Sequence, residues 1–303
     1  RGFGGDQMAA AGMDVVVHYN QMAFMGIVQV VLNLSKILRW MKICRQDLNN
    51  YQPDALILID YGGFNMRLAK YAHAKGYRVY YYISPKVWAW NTGRALKLKA
   101  TVDRMFCILP FETDFYKKFD WHVDYVGNPV VDAVEKFRPD PDFLTKHQLS
   151  DRPLVALLPG SRRGELARIL PLLAALTDQF PDIDFMIAAI RELPADLYRP
   201  LRNKSNVKFI YDAAYQVLSH SRAAIVTSGT ATLETALLKV PQVVVYKASP
   251  FEYAIGSRVI KVKFISLVNL IAGRAIVKEF LQDHATVAEV SAELKRLLHD
   301  EST

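Results

Sequence analysis

The sequence predicts an α/β protein built from two parallel-sheet domains. Short runs rich in Val, Ile, Leu and Tyr alternate with longer stretches of helical spacing along most of the chain. That alternation is the pattern of strands joined through crossover helices. It occurs as two series, separated by a Pro- and Asp-rich stretch at 137–153. The length, 303 residues, suits two domains, because a domain commonly takes roughly 100–200 residues. Apolar residues make up 51% and charged residues 22%, enough to bury real cores. We therefore expect one Rossmann-like domain over 1–150 and a second over 151–303.

In the first series, residues 55–60 (ALILID) read as a buried strand. Helical spacing follows over 64–75, with Gly76 placed to end it. Residues 78–83 and 104–109 are strand-like, 111–119 form a helix, and 123–126 form a shorter strand. The second series has strands at 154–158, 184–190, 207–211, 223–227 and 242–246. A helix is expected over 164–180, where Pro171 is placed to kink it, and an amphipathic helix over 287–299.

Composition narrows the function classes. A formal net charge of +8 favours anionic partners: nucleic acid, acidic lipid headgroups or phosphorylated substrates. The basic residues do not interleave with aromatics as in a nucleic-acid module, so nucleic acid is not expected. The two cysteines, Cys44 and Cys107, lie far apart and in no metal-binding spacing, and the seven histidines form no ligand pair. Neither a disulfide framework nor a metal site is expected, and the thiols suit a reducing, cytoplasmic setting. No run reaches the ~18 uninterrupted apolar residues of a spanning helix, and no secretory leader is visible. The chain opens at Arg1 rather than Met.

In doubly wound folds, ligands bind beyond the carboxyl ends of strands, so the loops after strands hold the candidates. Ser228-Gly229-Thr230 follows the strand AAIVT and opens a helix. Gly229 lets a ligand approach the backbone, the hydroxyls and free N–H groups suit a diphosphate, and Glu234, one turn on, suits ribose hydroxyls. The same residues also describe an ordinary capped helix start. Pro159-Gly160-Ser161-Arg162-Arg163 again joins a strand to a helix. Its arginines suit phosphate oxygens, or a solvated turn. Asp60, at the end of ALILID, is placed either to take a proton from a hydroxyl nucleophile or to cap the next helix. The stretch from Met22 runs apolar through Phe24, Met25, Ile27, Val28 and Val31 and turns basic at Lys36, Arg39, Lys42 and Arg45. It fits an interfacial element on anionic lipid, or a helix packed on its own sheet. Trp88 and Trp90, in SPKVWAW, fit a sugar or acyl site, or a core plug.

Together these motifs resemble the bacterial lipid-A-disaccharide synthases. The matching pieces are GFGGDQMAAAG at 2–12, MAFMGIVQVV at 22–31, IDYGGFN at 59–65, SPKVWAW at 84–90 and ILPFETDFY at 108–116. They continue with YVGNPVVD at 125–132, LLPGSRRGEL at 157–166, TSGTATLETALLKVPQVVVYK at 227–247, SLVNLIAG at 266–273 and VKEFLQ at 277–282. The resemblance implies a GT-B fold, two Rossmann-like domains facing a cleft, with an acceptor- and membrane-facing first domain and a UDP-sugar-binding second. It implies an inverting glycosyltransferase that moves 2,3-diacylglucosamine from UDP to the 6-hydroxyl of 2,3-diacylglucosamine 1-phosphate (lipid X), without metal or cofactor. The product is a β-1,6 disaccharide phosphate, with UDP released. Asp60 then matches the family's essential aspartate. Arg162, Ser228, Gly229, Thr230, Glu234, Asn269, Glu279 and Gln282 match donor-side positions. Met22, Phe24, Met25, Ile27, Val28, Val31 and Trp88 match the acceptor- or membrane-facing side. The expected setting is the inner face of an inner membrane, with a homodimer left open.

Four departures accompany the match. The family's opening strand and Gly- and Ser-containing loop have no counterpart here, which predicts an exposed sheet edge. The family's C-terminal helices that would follow Thr303 are likewise expected to be missing. The family's PDF reads Gly62-Gly63-Phe64, and its VGHP reads VGNP, with Asn128 for the histidine. Two other readings use the same residues: a UDP-sugar epimerase on a similar fold, and a non-catalytic protein that binds UDP or membrane.

Overall fold

Every strand pairing is parallel among the residues that the computed structural model describes, 1–22, 33–149, 152–259 and 262–299. The chain divides into two units. Arg1–Trp88, Thr92–Cys107 and Glu112–Val126 form the first; Ala89–Asn91, Ile108–Phe111 and Gly127–Thr303 form the second.

In the first unit, β1 (Gly2–Gly4) pairs with β2 (Val15–His18). A separate sheet runs in the order β3 (Ala55–Ile59), β4 (Arg78–Tyr82), β5 (Arg104–Cys107), β6 (Asp124–Tyr125). Parallel strands are normally covered on both faces. In β4 one face is fully buried, at Val79 and Tyr81, while Tyr80 and Tyr82 on the other are half-buried. β3, which pairs only with β4 among the described residues, leaves Ile57 64% and Ile59 42% exposed. The helix Leu34–Tyr51 packs through Ile37, Met41 and Leu48, a one-sided set at helical spacing, and leaves Leu34 and Leu38 exposed.

The second unit holds a six-stranded sheet of β7 (Leu154–Leu158), β8 (Asp184–Ala189), β9 (Val207–Tyr211), β10 (Ala223–Thr227), β11 (Gln242–Tyr246) and β12 (Glu279–Leu281). Its order is β12-β11-β10-β7-β8-β9. Successive residues point to opposite faces, and each face has its own core. Val155, Leu157, Phe185, Ile187, Ala223, Ile225, Val243 and Val245 pack with Leu166, Ile169, Leu170 and Leu173 of the helix Arg163–Thr177 and with Val290 and Leu294 of the helix Val287–His299. Leu154, Ala156, Leu158, Met186, Ala224 and Val226 pack on the other side with Phe143, Val217 and Leu218. Burial on both sides is why these strands read as unbroken apolar runs. The helix Arg163–Thr177 continues through Pro171 as one element.

The units divide earlier in sequence than the Pro- and Asp-rich stretch. Residues after Val126 pack on the second sheet: the Phe137 ring meets Tyr215 edge-on at 5.4 Å, and Phe143 is buried in the second unit's core. The helix Pro129–Lys136 leads this strap and packs against the helix Thr230–Leu237. Asn128, at the family's histidine position, is its N-cap: Oδ1 accepts from the Val130 N–H at 3.0 Å. Replacing such a cap by Ala costs about 1 kcal/mol. Asn128→Ala should lower the stability of this chain in urea by about that amount, and Asn128→Asp should recover most of it.

Candidate functional site

In the second unit's sheet the chain winds outward from β7 in one direction and from β10 in the other. The crevice of such a fold lies where the order reverses, beyond the carboxyl ends of the two central strands. Here that point falls between β7 and β10, so the loops after Leu158 and after Thr227 adjoin. A Cβ added at Gly160 would lie 3.5 Å from Thr227 Cγ2 and 2.7 Å from Glu165 Oε2, and Gly160 has φ +101°. The positive φ is what requires glycine there, and a Cβ would in addition press on the Glu165 carboxylate.

Arg162 is the N-cap residue of the helix Arg163–Thr177, and its Nη1 donates to Glu165 Oε1 at 2.5 Å. The guanidinium is thus held at the crevice, half-exposed, by a carboxylate one turn into its own helix. Ser228 is anchored twice: its N–H donates to Val245 O at 3.1 Å, and its Oγ donates to Ile265 O at 2.9 Å. Gly229, with φ +159° and ψ −161°, is the N-cap of the helix Thr230–Leu237, and a Cβ there would meet nothing within 4 Å. The space above its backbone is open. Thr230 is exposed, and Glu234 is half-buried.

The residues expected from 269–282 gather next to this loop. Glu279, the first residue of β12, accepts from the Ile265 N–H (2.9 Å), the Ser266 N–H (3.0 Å), Ser266 Oγ (2.6 Å) and Asn269 Nδ2 (2.8 Å). Asn269 is 1% exposed; its Oδ1 accepts from the Ile276 and Val277 N–H groups, and Nδ2 also donates to Val277 O. Thr232 Oγ1 accepts from the Leu267 N–H at 3.2 Å. Asn269 and Glu279 therefore face inward and hold segment 265–269 against the nucleotide loop. Gln282, at φ +49°, accepts from the Ala248 N–H at 2.9 Å and so fixes the chain after β11.

Sequence reasoning gave no hint of Tyr215, whose hydroxyl donates to Glu234 Oε1 at 2.9 Å. Burial, then this carboxylate, pushes its ionisation up to about 12. A lone Tyr in AAYQVLS has no spacing signal to mark it.

In the first unit, Asp60 follows β3 with an exposed side chain and φ +45°. Its backbone is clamped: its N–H donates to Tyr82 O (2.9 Å), while its carbonyl accepts from Tyr81 Oη (2.6 Å) and Asn65 Nδ2 (2.9 Å). Two left-handed residues in a row, Asp60 and Tyr61, are costly for non-glycine side chains. The clamp is what holds them. Tyr81 is fully buried, and burial followed by the Asp60 charge pushes its ionisation well up, keeping it a donor. Among the described residues the Asp60 carboxylate accepts no hydrogen bond. It does not cap the helix Gly62–Ala74.

Met22 and Trp88, expected to face acceptor or membrane, are 7% and 9% exposed. Met22 packs in the first unit's core, and Trp88 Nε1 donates to the buried carboxylate of Glu112 at 3.0 Å. An indole N–H taken into the interior needs such a partner. Phe24, Met25, Ile27, Val28 and Val31 lie outside the described residues. The helix Leu34–Tyr51, which follows them in sequence, presents Leu34 and Leu38 to solvent with Lys36, Arg39 and Lys42. Among the described residues there is no cluster of metal-ligating side chains, and no helix is long and apolar enough to cross a membrane.

The family profile described as lipid-A-disaccharide synthetase matches residues 1–303. The chain belongs to that family. A lipid-A-disaccharide synthase of Geobacter sulfurreducens is 40% identical over 306 residues, covering 99% of this chain and 80% of the relative. One of Myxococcus xanthus is 38% identical over 98% of this chain and 79% of its own length. Among solved structures, a Methanocaldococcus jannaschii UDP-GlcNAc 2-epimerase in complex with UDP-GlcNAc and UDP aligns with TM-score 0.63 at 11% identity, over 100% of this chain and 93% of that one. The glycotransferase of kitacinnamycin aligns with TM-score 0.62 at 13% identity, over 99% and 84%. At such identities they share the fold alone, which is GT-B. Membership of the lipid-A-disaccharide synthetase family makes this chain a glycosyltransferase, and the epimerase reading has no comparable support in sequence.

The inward-facing network gives a direct expectation. In Glu279→Gln the amide sets two further donors against donors. Leaving such groups unsatisfied costs about 1–3 kcal/mol. The variant should unfold at lower urea and exchange the amide hydrogens of residues 265 and 266 faster.

Proposed function

We propose that Asp60 is the general base and that the loops of the switch point hold the UDP moiety of the donor. The acceptor is 2,3-diacylglucosamine 1-phosphate. Asp60 removes the proton from its 6-hydroxyl as that oxygen attacks the anomeric carbon of UDP-2,3-diacylglucosamine. The bond from the anomeric carbon to the phosphate oxygen breaks, and UDP departs with the electron pair. One displacement inverts the anomeric carbon and gives the β-1,6 linkage.

The departing diphosphate develops negative charge. The unpaired N–H groups at the start of the helix Thr230–Leu237 and the Arg162 guanidinium are the donors that meet it. Glu234 accepts from the ribose hydroxyls. Asn269, Glu279 and Gln282 act by shaping the loops. The observation that carries the base assignment is a solvent-facing carboxylate that accepts no hydrogen bond among the described residues, on a backbone clamped in the left-handed region. A carboxylate that spends no lone pair on the protein can accept the proton of a hydroxyl placed against it.

In this reading the chain works as a peripheral protein on the inner face of an inner membrane. Its support is the exposed Leu34 and Leu38 among Lys36, Arg39 and Lys42, next in sequence to the apolar run holding Phe24, Met25, Ile27, Val28 and Val31. Apolar side chains with basic neighbours suit an anionic lipid surface.

Asp60→Asn should lower turnover by about 10²–10⁴-fold and leave UDP affinity, measured by calorimetry, unchanged. Loss of UDP binding in the variant, or near-normal turnover, would contradict the assignment.

A further inference from the structure

The hydroxyl of Tyr215 lies on Glu234, and no part of the reaction as described uses it. The two residues come from different crossovers. Tyr215 sits on the helix Ala214–Ser219, after β9, and Glu234 on the helix Thr230–Leu237, after β10. A free carboxylate turns easily about its last torsion, whose wells are broad. Here Oε1 takes the Tyr215 hydroxyl at 2.9 Å, which fixes the plane of the group. Oε2 accepts no hydrogen bond among the described residues.

Tyr215 is itself held from two directions. The Phe137 ring stands edge-on to it at 5.4 Å and 87°. Its neighbour Gln216 ties the same strap down: Oε1 accepts from the Asp140 N–H at 3.0 Å, and Nε2 donates to Arg138 O at 3.4 Å. The hydroxyl stays protonated because burial and the carboxylate push its ionisation up to about 12. It is therefore a donor at any working pH.

We infer that Tyr215 is a positioning residue that presents one oxygen of Glu234 to the ribose of the donor nucleotide, and so sets a preference for ribonucleotides over deoxyribonucleotides. The inference rests on the reading of Glu234 as the ribose acceptor. A carboxylate with one oxygen pinned and one open discriminates between a hydroxyl donor and a bare C–H, because the analogue lacking the hydroxyl leaves the open oxygen unpaired. A carboxylate free to turn loses part of that discrimination to solvent.

The test uses the full chain and four calorimetric affinities: UDP, 2′-deoxy-UDP, 3′-deoxy-UDP and inorganic diphosphate, for the parent, Tyr215→Phe and Glu234→Gln. Tyr215→Phe keeps the ring against Phe137 and removes only the hydroxyl. It should weaken UDP by about 3–10-fold, the net worth of one ordinary hydrogen bond. It should leave at least one deoxy analogue and inorganic diphosphate unchanged, so the ratio of UDP to that analogue shrinks, alongside the small loss of stability that removing one hydrogen bond brings. Glu234→Gln should shrink the same ratio. An equal weakening of all four ligands by Tyr215→Phe would mean a packing role and overturn the inference. So would an unchanged ratio in Tyr215→Phe when Glu234→Gln has lost it. If Glu234→Gln itself keeps the parent ratio, the ribose reading of Glu234 fails, and the inference falls with it for that separate reason.

Discussion

Parallel pairing is the constraint from which the rest of this chain follows. A parallel strand cannot turn back directly into its neighbour; it must be followed by a loop and a crossover that returns to the same end. Each strand therefore delivers its loop at its carboxyl edge. Asp60 follows β3, Gly160 and Arg162 follow β7, and Ser228 and Gly229 follow β10. The order β12-β11-β10-β7-β8-β9 then does the rest in the second unit, because reversal between β7 and β10 brings two of these loops side by side. Sheets covered on both faces supply the rigidity: fully buried residues alternate between two separate cores along β7, β8 and β10. Each fully buried large side chain contributes about 1.5–3 kcal/mol.

On this frame the polar side chains divide by whether they meet solvent or the protein itself. Glu279 and Asn269 meet the protein. Four donors converge on the one carboxylate, and the asparagine is committed on both of its ends. Through Ser228 Oγ to Ile265 O and the Leu267 N–H to Thr232 Oγ1, that network is continuous with the glycine loop. Such a network fixes backbone groups in place before any ligand arrives, which is how preorganised sites avoid reorganisation. Asp60 is the opposite case. Its backbone carries the hydrogen bonds from Tyr81 and Asn65, and its carboxylate is left to solvent.

Much of this was legible in the sequence. The strands of the second sheet were plain because burial on both faces demands unbroken apolar runs, as in LVALL and AAIVT. β12 was not, since three half-buried residues beginning with Glu279 carry no such signal. The β1 and β2 pair is short in the same way. The unit boundary was hidden because the strap after Val126 is polar in composition yet anchored by a few residues, Phe137, Asp140 and Phe143. Asp60 and Ser228 stand out in the sequence by position alone, each directly after a strand, where such folds carry their ligand loops. Tyr215, Tyr81 and Asn65 could not, because what matters in them is a partner 5–21 positions away. Apolar composition alone also gave no way to tell Met22 and Trp88, which lie inside, from Leu34 and Leu38, which lie outside.

The central claim is that this chain joins two acylated glucosamine units with loss of UDP. UDP release in mixed micelles, with UDP-2,3-diacylglucosamine and lipid X supplied separately and together, measures it directly. The account predicts release only when both are present, matched by an equal amount of disaccharide phosphate. Release from the donor alone at the same rate, or no release with both present, would contradict it.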